Sequence, residues 1–96
     1  MMGRAGTRTD VEWMAEVGRR LGRLRASHGL ALVEVAERAG LDRETVSRAE
    51  KGDNPTLQTL TRLLRVYGRL DALEAMVPEP LPSPLAALDD AEDTGR

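Results

Sequence analysis

The 96-residue chain contains no cysteine, which excludes disulfide bridges and thiolate metal sites and fits a reducing cytoplasm. Its only aromatic residues are Trp13 and Tyr67. Modules that bind RNA or single strands by stacking bases need several exposed rings, so that class is excluded. Both rings fall on helical patterns and are expected in the core. No stretch approaches the roughly 18 consecutive apolar residues of a membrane helix. The opening MMGRAGTRTD carries Arg4 and Arg8 with no apolar run behind them, so it is not read as a signal peptide. The expectation is a soluble, cytoplasmic protein with no membrane partner. Strand signals are also lacking, because no run combines β-branched enrichment with alternation. Catalytic signals are scarce too: the single His28 sits at a helix end, there is no glycine-rich phosphate loop, and the carboxylates are scattered. Neither an enzyme nor a metal or cofactor site is expected.

The formal charge of −2 is unevenly distributed. Residues 1–77 hold 13 Lys/Arg against 11 Asp/Glu, whereas 78–96 hold only Arg96 against Glu79, Asp89, Asp90, Glu92 and Asp93. A weakly basic domain therefore precedes an acidic tail. Prolines 78, 80, 82 and 84 exclude a helix there and favour extended backbone. The division is a flexible arm at 1–10, a helical domain at 11–77, and an extended or disordered tail at 78–96.

Within the domain, Thr9 or Asp10 can cap a first helix from about Val11 to Ser27. Its apolar stripe is Trp13, Val17, Leu21 and Leu24, and Gly29 suits a left-handed ending. A second helix, from about Ala31 to Ala39, buries Val35, Ala36 and Ala39 and stops at Gly40. Asp42 is expected to cap a third helix, Arg43 to Lys51, which ends at Gly52. After Asp53-Asn54-Pro55, Thr56 can cap a fourth helix carrying Leu57, Leu60, Leu63, Leu64 and Tyr67. A short fifth helix, about Leu70 to Met76, is ended by Pro78. The fold class is all-α, with five helices.

Two short helices joined by a glycine-containing turn form a helix-turn-helix unit. Ala36 must be small where the second helix of the pair packs against it. Gly40 sits where positive φ is needed. Val46 and Ala49 then face back and help set the interhelical angle. The third helix turns its other side outward: 43 and 47, like 44 and 48, are i,i+4 pairs, so Arg43, Glu44, Ser47 and Arg48 share one side. Thr45 sits beside them.

The run GLALVEVAERAGLDRETVSRAEKGDNPTLQTLTRLLRVYG, residues 29–68, resembles the Xre or lambda-repressor-like family of helix-turn-helix regulators, and the resemblance extends over roughly residues 15–77. It implies a compact five-helix domain that binds double-stranded DNA as a homodimer on an inverted-repeat operator, in the manner of a repressor. It also implies that the exposed side of the third helix enters the major groove, where arginine can fork onto O6 and N7 of guanine, glutamate can accept from N4 of cytosine, and Thr45 can reach a phosphate or a thymine methyl. Glu50 occupies a position where family members commonly pair an acidic residue with an arginine ending the first helix, here Arg25. Lys51, the backbone around Gly52 to Asn54, and the N–H groups near Thr56 are the phosphate contacts expected. For the dimer, the candidate surface is Leu70, Leu73, Met76, Val77 and Leu81, with Leu85 and Leu88 beyond them.

The chain departs from the family at the start of the second helix, where Thr or Ser followed by Gln is usual and Ala31-Leu32 stands instead. The missing hydroxyl costs on the order of 1 kcal/mol, and Leu32 is expected to touch sugars or a protein partner. The proline-rich tail VPEPLPSPLAALDD resembles the HipB-like antitoxin branch, whose members bind a HipA-like kinase as well as their own operator. That interaction role is the alternative reading, and a neighbouring gene for such a kinase would discriminate between the two.

Overall fold

A computed structural model describes residues 7–82. Within it the helices are α1 (Asp10–Ser27), α2 (Leu32–Ala39), α3 (Arg43–Glu50), α4 (Leu57–Val66) and α5 (Asp71–Met76), with no strand among the described residues. Most of the expected arm and tail, including Leu85 and Leu88, lies outside them.

Local chemistry accounts for most of the boundaries. Thr9 begins α1 with a reciprocal capping box: Glu12 N–H donates to the Thr9 hydroxyl at 3.1 Å, and Thr9 N–H donates to the Glu12 carboxylate at 2.9 Å. α2 lacks the hydroxyl half of such a box because Ala31 has no acceptor, but Glu34 supplies the other half by accepting from Ala31 N–H at 2.8 Å. Gly40 closes α2 at φ 68°, with Leu41 N–H donating to Ala36 O and Gly40 N–H to Glu37 O, a Schellman ending. Arg62 of α4 donates to the Gly40 carbonyl at 3.0 Å and so pins this turn.

Two expectations need correction. Asp42 stands at the N-cap of α3 with suitable extended backbone, but its carboxylate makes no capping hydrogen bond. At this exposed position it can favour the helix only through the macrodipole. Leu32 is half-buried, with part of its side chain packed against the core and the rest at the surface. Trp13 is not in the core. Half-buried near the start of α1, it carries the Arg8 guanidinium 4.9 Å from its ring centroid, a cation–π contact. Four helix limits also move by one residue: α1 begins at Asp10, α2 at Leu32 and α5 at Asp71, and α3 ends at Glu50.

The core is Leu21 of α1, Val35 and Ala36 of α2, Val46 and Ala49 of α3, and Leu63, Leu64 and Tyr67 around α4. Every helix of the turn unit thus contributes a small or branched side chain. α3 sits against α1, α2 and α4 together, so its orientation is set from three sides. Tyr67, 3% exposed, stacks on His28 with centroids 5.4 Å apart. Burial, and then the nearby Glu50 carboxylate, push its hydroxyl pKa up to about 12.

The tightest seam joins α1 to the end of α3. A Cβ on Gly18 would lie 2.5 Å from the Glu50 carbonyl oxygen and 2.7 Å from Gly52 N. One on Gly52, which has φ 75°, would lie 2.7 Å from the Met14 carbonyl oxygen. The two backbones therefore touch with no side chain between them. One turn along α1, Gly22 leaves room for the Glu50 side chain. Near the end of the helix, Arg25 forks onto that carboxylate, Nε to Oε2 at 2.6 Å and an Nη to Oε1 at 2.9 Å. The hydrogen bond to Glu50 raises the Arg25 pKa, so the guanidinium stays charged. A further Nη donates to the Leu30 carbonyl at 3.1 Å, tying the α1–α2 turn to the same group.

This seam predicts substitutions of opposite sign on one helix. Gly→Ala inside a helix ordinarily stabilises by about 1 kcal/mol. At Gly18 it should instead destabilise by about 1–3 kcal/mol through overpacking against backbone. At Gly22 it should be near neutral or mildly stabilising, because the nearest atom, 3.4 Å away, belongs to the Glu50 side chain. Thermal unfolding of the two variants checks this, and equal melting temperatures would refute the seam. Glu50→Ala should lower stability by about 2–3 kcal/mol in the absence of any ligand, since it strips a half-buried guanidinium of its charged acceptor.

Candidate nucleic-acid interface

α3 is sharply two-sided. Val46 and Ala49 are 0% and 1% exposed and turn inward, so the helix must present the residues between them to solvent. Arg43, Glu44 and Arg48 are exposed, and Ser47 and Thr45 are half-buried beside them. The first four side chains share one side of two helical turns. With the helix wedged by α1, α2 and α4, they project from a rigid element rather than a loop, which suits geometry-dependent recognition.

Arg48 has an internal partner that the sequence reading did not single out. Its Nε donates to Asp53 Oδ2 at 3.0 Å, and both side chains are more than half exposed. Such a pair contributes about 1 kcal/mol or less, so it orients Arg48 along α3 without committing it. Opposite charges five residues apart across a glycine turn were the available signal. Two glycines four apart inside an otherwise good helix, Gly18 and Gly22, are costly enough to mark a close approach from sequence alone.

Past α3 the chain makes a short edge toward α4. Lys51 is exposed at the C-cap of α3. Asn54 takes a left-handed φ of 42° immediately before Pro55, a conformation that asparagine tolerates better than most residues. Thr56 caps α4: its hydroxyl accepts from Thr59 N–H at 3.0 Å and donates to Thr59 Oγ1 at 3.1 Å. That hydroxyl is therefore committed internally. What this position can offer an anion is the first-turn N–H groups of α4, whose side chains Leu57 and Gln58 are exposed.

Charge on this side is patterned, not simply basic. Arg43, Arg48 and Lys51 are balanced by Asp42, Glu44 and Asp53. A balanced face draws phosphate weakly through its field alone. It does offer an ordered row of forked donors and acceptors, the chemistry that distinguishes base edges in a major groove. No helix among the described residues is long and apolar enough to cross a membrane. Among the same residues, no three His, Cys, Asp or Glu side chains are grouped so that they could hold a metal.

Comparison with known families agrees with this geometry. A family model described as a helix-turn-helix domain matches residues 16–76. No curated protein and no solved structure gave a match. The matched span runs from the middle of α1 to the last residue of α5 and so takes in the α1–α3 seam, the turn at Gly40 and the outward side of α3. It covers well over half of the chain, which belongs to the helix-turn-helix domain family.

Proposed function

We propose that this chain is a sequence-specific, double-stranded DNA-binding transcription regulator of the Xre or lambda-repressor-like kind, acting in the cytoplasm as a repressor. The observation that carries the reading is the wedged α3 with Arg43, Glu44, Ser47 and Arg48 on its outward side. Arg43 and Arg48 fork onto guanines, Glu44 accepts from a cytosine amino group, and Ser47 and Thr45 contact neighbouring base edges or phosphate. Lys51, the backbone at Asn54 and the α4 amides beside Thr56 grip the sugar-phosphate backbone. Arg25 and Glu50 touch no DNA and hold α3 at its working angle.

On this reading Arg48 exchanges Asp53 for a base, at little cost because the pair is exposed. Arg43→Ala and Arg48→Ala should each weaken binding to a selected operator by about 1–3 kcal/mol and relax preference at different base pairs. Lys51→Ala should weaken all sequences alike and reduce the salt slope by about one. Selection of bound genomic DNA followed by titration of the variants is the test. If both arginine variants bound the selected site like the parent chain, the reading would be wrong.

The regulator acts as a two-fold dimer on an inverted repeat. The eight residues of α3 span roughly 12 Å and reach only a few base pairs, which gives little discrimination in a genome. Two copies double the contacts and set two α3 helices about one DNA turn, roughly 34 Å, apart. Leu70, Met76, Val77 and Leu81 are exposed apolar residues at the C-terminal side, and Leu73 adjoins them. The selected sites should therefore be inverted repeats bound by two chains, which the stoichiometry of the complex checks.

A further inference from the structure

The two-fold assembly proposed above leaves open what joins the copies. A groove of about 550 Å³ runs between α1, α4 and α5. Its floor is apolar, with Val17, Leu24, Leu60 and Leu73 among its lining residues, and Arg20, Arg23 and Arg69 stand along it. Arg20 is engaged by Glu16 and Arg69 by Asp71, whereas Arg23 makes no ion pair among the described residues. The groove thus asks for an apolar segment followed or flanked by acidic charge.

The chain carries such a segment once. Leu85-Ala86-Ala87-Leu88 is followed directly by Asp89, Asp90, Glu92 and Asp93. No other stretch joins two leucines to a block of four carboxylates. We propose that residues 85–93 of one copy occupy the α1–α4–α5 groove of a second copy, and that the exchange is reciprocal. Leu85 and Leu88 cover the apolar floor, and the acidic block meets Arg23 and its neighbours. The inference rests on the dimer part of the function proposed above.

The route of the chain favours exchange over a fold-back. Met76, at the end of α5, lines the groove, and residues 77–82 leave it fully on the surface. Pro78, Pro80 and Pro82 hold φ and favour extended backbone, which advances about 3.1 Å per residue and stays stiff over several residues. From Val77 to Leu85 that is roughly 25 Å. A stiff spacer leaving the mouth of its own groove is poorly built to reverse into it, but it can reach a facing copy. Reciprocal exchange of this kind closes with two-fold symmetry.

Sedimentation of the full chain tests the proposal. A tail variant, Leu85→Asp with Leu88→Asp, and a groove variant, Arg23→Glu with Met76→Asp, change only exposed positions or positions outside the five helices, and unchanged thermal unfolding verifies their folds. Each should dimerise at least tenfold more weakly than the parent. An equimolar mixture of the two should recover a one-armed heterodimer, since it pairs one sound groove with one sound tail. If both variants dimerise like the parent, tail exchange is overturned while the dimer stands on other contacts. If the variants are weakened but their mixture stays monomeric, the tail serves its own chain and exchange is again overturned. A parent chain monomeric at tens of micromolar, both free and on DNA, removes the dimer and this inference with it.

Discussion

The arrangement depends first on a contact between two backbones. Where Gly18 meets the end of α3 and Gly52 meets the first turns of α1, a methyl group would come within 3 Å of main-chain atoms on either side. Interiors yield little to such intrusion, so the glycines fix how near α3 can lie to α1. The Arg25–Glu50 fork then fixes the rotation. It is directional and charge-assisted, and it is half-buried, where solvent weakens it less than at the surface. Closeness comes from the absence of side chains, and angle from the presence of two. Neither device alone would hold an eight-residue helix that, by itself, is too short to be stable in water.

The same seam explains how a carboxylate can sit at the end of a helix proposed to face DNA. Glu50 would oppose both the α3 dipole and nearby phosphates. Paired with Arg25 it is neutralised as a unit, and its fork takes up the acceptor positions it would otherwise present. Tyr67, buried in the core and stacked on His28, feels the pair in its ionisation, the Glu50 carboxylate adding to burial in raising it. The outward side of α3 is thereby left to residues with no structural duty except Arg48, whose bond to Asp53 is exposed and easily exchanged.

Much of this was legible in the sequence where one residue type has one physical use. Gly29 and Gly40 are both left-handed, at φ 65° and 68°, and mark helix ends where apolar periodicity stops. Val35, Ala36, Val46 and Ala49 follow from that periodicity and are buried. Legibility failed where a residue has several uses. Asp42 is a good N-cap by type, but an exposed carboxylate can favour a helix start without bonding to it. Trp13 falls on the apolar stripe of α1, yet the stripe continues past the end of the core, and there a ring is worth more under a guanidinium. Gly18 could be read as a tolerated helical glycine, because the atoms that require it lie more than thirty residues away in sequence. The outward residues of α3 are legible as a surface pattern, and their chemistry is a matter of what approaches them.

Charge balance gives the last constraint on how such a face can work. With three cations against three carboxylates on and beside α3, attraction to a generic phosphate array is small, and on the function proposed above affinity would come from matched contacts at the base edges and from a second copy. A strongly basic face would bind sooner but discriminate less, since counterion release rewards any duplex equally. Asp53 contributes to this balance twice, as a local negative charge and as the resting partner of Arg48. While the two are paired, the guanidinium is oriented but occupied; only a site offering a better acceptor than an exposed carboxylate displaces it. The fold thus holds α3 rigidly and leaves Arg48 on an exchangeable bond; on the function proposed above, rigidity would set where the face meets DNA and the exchange would set which sequence it favours.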